Sequence, residues 1–315
     1  EYGGLASPYA VLTIQSTPVV VDNVTFRNNS DYGVYIYGQP SDGARPSVSN
    51  CTFTDNGGYP IRLSANDGFI LGAGNTFSGN TPDKIYIDAV SINYDQTWIN
   101  PGIPYFIDDS ITLQDDGGGV SWSIQYGAEL QFAAGERLTI GHTSAGTYTG
   151  TLTATGVTFA GAEDTPGYWV GLYFNNYAVG GTLSGCTIKN AGYGASTPES
   201  IMITTSSTME QQVITGCTIT GGAGDGIYIA DDARPTLSGN TITDHAEFPI
   251  SVDVNDTGFI GPNNNLTGNG DDRIELRTGS ITQSQTWSNH GVPYVCTDDI
   301  LLYDDDHPIL QISPG

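Results

Sequence analysis

With 34 acidic side chains against nine basic ones, carboxylates are the groups in this sequence best supplied for chemistry. Many of them come in pairs. Asp108-Asp109 and Asp298-Asp299 each follow a Pro-Tyr dipeptide, and Asp115-Asp116 and Asp304-Asp305-Asp306 come a few residues later. Clustered carboxylates plus turn carbonyls are what a hard cation such as Ca²⁺ requires, so Asp108, Asp109, Asp115, Asp116, Asp298, Asp299, Asp304 and Asp305 are candidate calcium ligands. No D-x-D-x-D-G spacing fixes them, and a solvated acidic loop is the competing reading. The four histidines, at 142, 245, 290 and 307, have no transition-metal spacing.

Paired carboxylates could also protonate a glycosidic oxygen and activate water. Asp231-Asp232, Arg273-Ile274-Glu275 and Asn289-His290-Gly291 resemble the Asp-Asp, Arg-Ile-Lys and Gly-His-Gly motifs of polygalacturonases. Their order differs from that family, whose His motif precedes the Arg motif, and Glu275 stands where the family has Lys. Uronate lyases need basic residues to hold a carboxylate and take a proton, and here there are only Lys84, Lys189 and seven scattered Arg. No catalytic residue is therefore assigned. Tyr35, Tyr37, Tyr173, Tyr177 and Tyr228 could offer rings for sugars to stack on, although aromatic residues suit exposed strands without any ligand. A net charge of −25 disfavours nucleic acid, anionic membrane and polyanionic substrates. No apolar run approaches a membrane span, so membrane insertion is not expected. Residue 1 is not Met, which places any export signal upstream or already removed.

The elements that carry these residues repeat. QTWINPGIPY (96 to 105) returns as QTWSNHGVPY (285 to 294), with Trp287 lying 189 residues after Trp98. Ala44-Arg45-Pro46 returns as Ala233-Arg234-Pro235 at the same offset, and Lys84-Ile85-Tyr86-Ile87 as Arg273-Ile274-Glu275-Leu276. Tyr32-Gly33-Val34-Tyr35-Ile36 matches Asp225-Gly226-Ile227-Tyr228-Ile229 at an offset of 193, because YGQPSDGARP is four residues longer than ADDARP. Residues 1–95 thus read as the end of one module, 96–284 as a complete module and 285–315 as the start of a third, with the native chain expected to continue.

A shorter beat runs inside each module. NVTF, NCTF, GNTF, GVTF, GCTI, GCTI and GNTI place Thr at 25, 52, 76, 158, 187, 218 and 241. Spacings of this size suit one solenoid coil per beat. Alternation turns Phe26, Phe53, Phe77, Phe159, Ile188, Ile219 and Ile242 inward and the Thr residues outward. A second inward ladder is expected from Val24, Cys51, Asn75, Val157, Cys186, Cys217 and Asn240. Cys186 and Cys217 would then sit in adjacent coils, close enough for a disulfide, with free buried thiols as the alternative. GGAGDGIYI (221 to 229) resembles a calcium-binding nonapeptide whose Asp225 comes one residue early, which points to turn chemistry.

This beat, with Trp169-Val170-Gly171-Leu172-Tyr173-Phe174 and the Thr-Trp…Gly-x-Pro-Tyr segment, resembles secreted bacterial right-handed parallel β-helix repeat proteins over essentially the whole chain. The resemblance implies an all-β right-handed parallel β-helix, a solenoid with tandem modules of about 189 residues, and an extracellular or cell-surface setting in a bacterium. It is specific for fold and poor for activity, because one solenoid can carry enzymes, adhesins and spacers. The expected function is a non-catalytic extracellular scaffold or adhesin-type segment whose partners are surface glycans or other surface proteins. The alternatives are carbohydrate binding or processing and, from the T-x-T pairs Thr52/Thr54, Thr218/Thr220 and Thr241/Thr243, ice binding.

Overall fold

The computed structural model describes residues 10–38, 45–115, 117–142, 148–194, 198–206, 208–230, 232–296, 299–303 and 307–314. Their strands are almost all short and pair in parallel, each with a strand about one coil further along. Three large sheets result. Sheet I has ten strands, from Ala10–Gln15 to Thr241–Thr243; sheet II has eight, from Ile111–Leu113 to Tyr294–Cys296; sheet III has six, from Gln96–Trp98 to Thr236–Ser238. The chain visits them in the cyclic order I, II, III, and so climbs as a parallel β-solenoid.

The sequence beat has a conformational cause. Most of the T-x-x strands are bracketed by residues in the left-handed region, which suits the solenoid's tight corners. Asn23, Asn50 and Gly74 precede the strands at Thr25, Thr52 and Thr76, and Asn28, Asp55 and Gly79 follow them, all with φ between 53° and 80°. Asn, Asp and Gly tolerate this backbone far better than other residues. Between the corners the side chains alternate as expected: Phe53, Phe159, Ile188, Ile219 and Ile242 are fully buried, and Phe26 nearly so. Phe77 is only partly buried, since its strand ends a three-stranded sheet. Val24 corrects the expected second ladder. It is 39 % exposed, because its strand is the first of that sheet and no described coil covers it, whereas Cys51, Val157, Cys186, Cys217 and Asn240 are buried.

Polar residues in the interior are satisfied by their own ladder. Asn56 donates through Nδ2 to Asn80 Oδ1 (2.6 Å) and to the Phe26 carbonyl (3.2 Å), and Asn29 donates to Asn56 Oδ1 (2.5 Å). A buried amide so engaged costs little, whereas an orphaned one costs about 1–3 kcal/mol. Asn56→Ala, which strands the Asn29 amide and the Phe26 carbonyl, is therefore expected to lower stability by roughly 2–3 kcal/mol. Urea titration checks this, and a loss below the ordinary surface level would show that water replaces the ladder. Cys186 and Cys217 are free thiols whose Sγ atoms donate to the carbonyls of Ala154 and Leu183, both at 3.4 Å.

The long repeat does not equal a whole number of coils. From Tyr32–Tyr37 to Thr218–Thr220, sheet I advances through seven successive strand pairings. The counterpart of Tyr32–Tyr37 is the strand that follows Thr218–Thr220, Ile227–Ile229, and it lies in sheet II. Each repeat therefore advances seven coils and one face. Equivalent surfaces of the two modules point in different directions, and the sheets run unbroken across residues 95 and 96 through the pairing of Ile85–Asp88 with Tyr105–Ile107. The outward Thr columns are split the same way, between a three-stranded sheet and sheet I, and Ala160 at 1 % exposed interrupts one of them.

Candidate functional site

The most elaborated surface is the outward row of sheet I in its first coils. Register places Tyr35, Arg62, Tyr86 and Phe106 side by side on four successive strands, and Tyr32, at the start of the first strand, and Tyr59, in the turn before the second, join them. The rings contact one another: Tyr32 stacks on Tyr59 (6.2 Å), Tyr35 on Tyr37 (4.8 Å) and Tyr59 on Phe106 (5.9 Å), while Tyr86 meets Tyr59 edge-on (5.0 Å).

Arg62 organises this surface. Its guanidinium grips Asp88 with Nε at 2.9 Å and 3.0 Å from the two carboxylate oxygens and Nη2 at 2.5 Å. It also lies over the rings of Tyr86 (4.7 Å), Tyr35 (5.0 Å) and Tyr32 (5.5 Å). Such cation–π contacts fix the rings as well as the cation. The Tyr86 hydroxyl donates to Asp108 Oδ2. Burial, then the hydrogen bond to Asp108, holds the Tyr86 phenol above its ordinary range, and burial does the same for Tyr59 and Tyr35. All three phenols therefore stay protonated; those of Tyr59 and Tyr35 can donate hydrogen bonds to a ligand, while Tyr86, whose proton is held by Asp108, can accept one.

The other proposed tyrosines have different surroundings. Tyr173 is only 8 % exposed, and Arg137 lies over its ring at 5.5 Å; it is a wall residue, contrary to the expectation of an open platform. Tyr228 is half-buried and covered by the Arg277 guanidinium at 3.9 Å. Tyr177, also half-buried, lies in a turn after Gly171–Phe174, away from the cluster around Arg62. Of the acidic candidates, Asp108 is engaged by Tyr86, Asp109 accepts from the Ser110 amide (2.7 Å), and the Asp115 backbone pairs with Thr149. Asp116, Asp298, Asp304 and Asp305 lie outside the described residues, and Asp299 is separated from the others by them. Among the described residues no three His, Cys, Asp or Glu side chains converge so as to hold a metal ion.

A second polar constellation had no local motif to announce it. It occupies the counterpart surface on sheet II, where Tyr228, Ser251, Glu275 and Val295 form the outward row. Thus Ser251 replaces Arg62, Glu275 replaces Tyr86, and Asp225 stands where the first module has Tyr32. Asp225 is 8 % exposed, and burial with the nearby Glu275, Glu247 and Glu199 carboxylates pushes it up to about 7. Glu199, one coil earlier, is 6 % exposed and is also raised, chiefly by burial. Aligning the coils on the inward Ile of each I-x-I strand, Ile201 and Ile227, would have revealed the Glu199 and Asp225 column two positions upstream.

The family described as right handed beta helix region matches residues 7–110 and 144–305, well over half of the chain. The chain belongs to that family, in agreement with its parallel solenoid. No curated protein and no solved structure matches it significantly.

Proposed function

We propose that the protein is a non-catalytic extracellular β-helix that recognises neutral glycans through the aromatic surface of sheet I. The observation that carries this reading is the gathering of Tyr32, Tyr35, Tyr59, Tyr86 and Phe106 around one tethered guanidinium. Rings fixed in place give a sugar apolar contact at little entropic cost, and protonated phenols supply the directional hydrogen bonds that its hydroxyls need. The module comparison supports selection for more than coil stacking, because the counterpart row on sheet II keeps the inward ladder and loses the aromatic cluster. The acidic balance of the whole chain favours uncharged sugars over uronates.

A glycan array, followed by titration with the best neutral oligosaccharide, tests the reading. Tyr86→Ala or Tyr59→Ala is expected to weaken that binding about tenfold or more, the usual loss on truncating a central aromatic anchor. A scaffold role without glycan recognition would leave the array blank or the variants unchanged.

A further inference from the structure

We propose that the recognised glycan is a linear neutral oligosaccharide laid along the solenoid axis across five strands of sheet I, with one of its sugars seated in a cleft between Pro104 and Glu129. This extended site rests on the glycan reading above and adds to it the length of the ligand and a second, polar subsite.

The outward row does not end at Phe106. On the next strand, Glu129–Phe132, Gln131 lies in register with Phe106. Two residues upstream on the same strands a second outward row runs beside the first, and pairing of Ile85 with Tyr105 and of Tyr105 with Leu130 makes Lys84, Pro104 and Glu129 neighbours in it. The Lys84 ammonium accordingly lies 5.6 Å from the centre of the Phe106 ring. From Tyr35 to Gln131 the row crosses four strand pairings, about 19 Å at the usual spacing of roughly 4.8 Å. One sugar covers only a fraction of that length, so a chain of several is needed to use it.

At the far end of the row lies a cleft of about 200 Å³, lined by Asn100, Gly102, Ile103, Pro104, Gly127 and Glu129. It has room for a single sugar ring and not for a whole oligosaccharide. Its lining mixes an apolar side, Ile103 and Pro104, with a carboxylate, the combination that a sugar's faces and hydroxyls call for. The walls are held in place. Asn100 Oδ1 accepts from the Gly102 amide (2.9 Å), and its Nδ2 donates to the Tyr126 carbonyl (3.4 Å). Gln131 Nε2 donates to Glu129 Oε1 at 2.6 Å, which fixes the half-buried carboxylate and leaves its second oxygen for a ligand hydroxyl.

The second copy of this segment separates what the turn needs from what a ligand needs. Asn289 Oδ1 again accepts from the Gly291 amide, at 2.8 Å, so the turn itself recurs. The side chains around it do not: Val295 stands in the place of Phe106, and Arg273, in the place of Lys84, is tied to Asp271. Lys84 forms no ion pair with a described carboxylate and keeps its donors for a ligand. An ammonium and a carboxylate on either side of Pro104 give one donor group and one acceptor group, which orient hydroxyls through charge-assisted hydrogen bonds and ask for no charge on the sugar.

Calorimetry with a length series of the best neutral oligosaccharide from the array, from the monosaccharide to the hexasaccharide, reads the extended site. Affinity for the wild type is expected to rise with length, by at least about tenfold between the disaccharide and the longest chains, as one further hydrogen bond to a charged group supplies. Glu129→Gln should flatten that rise, whereas Tyr86→Ala should weaken binding at every length. Glutamine replaces the carboxylate with little change of shape, and an unchanged melting temperature checks that the variant is folded; Lys84→Met, on the other side of Pro104, should flatten the rise in the same way. A disaccharide bound as tightly as the hexasaccharide, or the same length dependence in the wild type and in both variants, would overturn the extended site and leave the glycan reading standing. A blank array would overturn both.

Discussion

Replacing Trp98 with alanine is expected to lower the unfolding free energy by about 3–5 kcal/mol, the usual cost of emptying a packed indole site. Trp98 is fully buried, with Tyr105 at 4.8 Å and Trp122 at 4.7 Å. Its indole N–H donates to Gln96 Oε1 (2.9 Å), and Gln96 donates to the Ala65 carbonyl (3.2 Å). Tyr105 completes the unit by donating to the Ile99 carbonyl (2.9 Å). The Gln-Thr-Trp…Pro-Tyr segment is thus a wedge that joins the short helix Ala65–Ile70 to the next run of coils. Gly68 lets the two meet, for a Cβ there would lie 2.1 Å from the indole.

The second copy sets an internal comparison. Trp287 is 6 % exposed, its indole N–H has no partner among the described residues, and the ring of Tyr294 is 5.5 Å away. Trp287→Ala should therefore cost less, by about 1 kcal/mol for the missing hydrogen bond alone. Chemical denaturation of the two variants side by side decides the matter. Equal losses would mean that the joining segment acts through its backbone turn and not through the tryptophan.

The coil beat was legible because each corner demands Asn, Asp or Gly and each strand alternates strictly, so Asn50-Cys51-Thr52-Phe53 and Gly239-Asn240-Thr241-Ile242 announce the same local backbone. What the repeat could not disclose was its phase. An offset of 189 residues reads alike whether it spans seven coils or seven and one face, and only strand pairing distinguishes them. That phase decides which side chains share a surface. It separates Tyr35 from Tyr228, which the sequence grouped together, and it surrounds Tyr35 with Tyr32, Tyr59 and Tyr86, of which none had been singled out. The carboxylates were hidden for a related reason: Glu199, Asp225, Glu247 and Glu275 come from separate coils, and Asp225 drew attention only as a turn residue. Pairs adjacent in sequence, such as Asp108-Asp109, were conspicuous, yet these two lie in the bend after Tyr105–Ile107 and are taken up separately, Asp108 by the Tyr86 hydroxyl and Asp109 by the Ser110 amide.

The buried carboxylates make stability fall as pH rises. Asp225, pushed up to about 7 by burial and neighbouring carboxylates, and Asp256, pushed up to about 6 mainly by burial, both start from 3.8 in the unfolded chain. A raised acid contributes stability that is fully present below its unfolded value and is lost as pH rises through its folded value. His245 acts in the opposite sense. Burial lowers it from 6.5 to about 4, so its contribution is present above 6.5 and is lost as pH falls through about 4. The two carboxylates outweigh the single imidazole, and repulsion within a chain of net charge −25 acts in the same direction as they do. Melting temperature should therefore be higher in mildly acidic than in mildly alkaline buffer. Asp225→Asn isolates the largest part. The amide oxygen can still accept from the Phe248 amide, so the variant should be more stable than the wild type by roughly 2–4 kcal/mol above pH 8 and equal to it near pH 4. Loss of the pH slope in the variant would identify Asp225 as its source, whereas parallel curves for the two proteins would place the titrating group elsewhere.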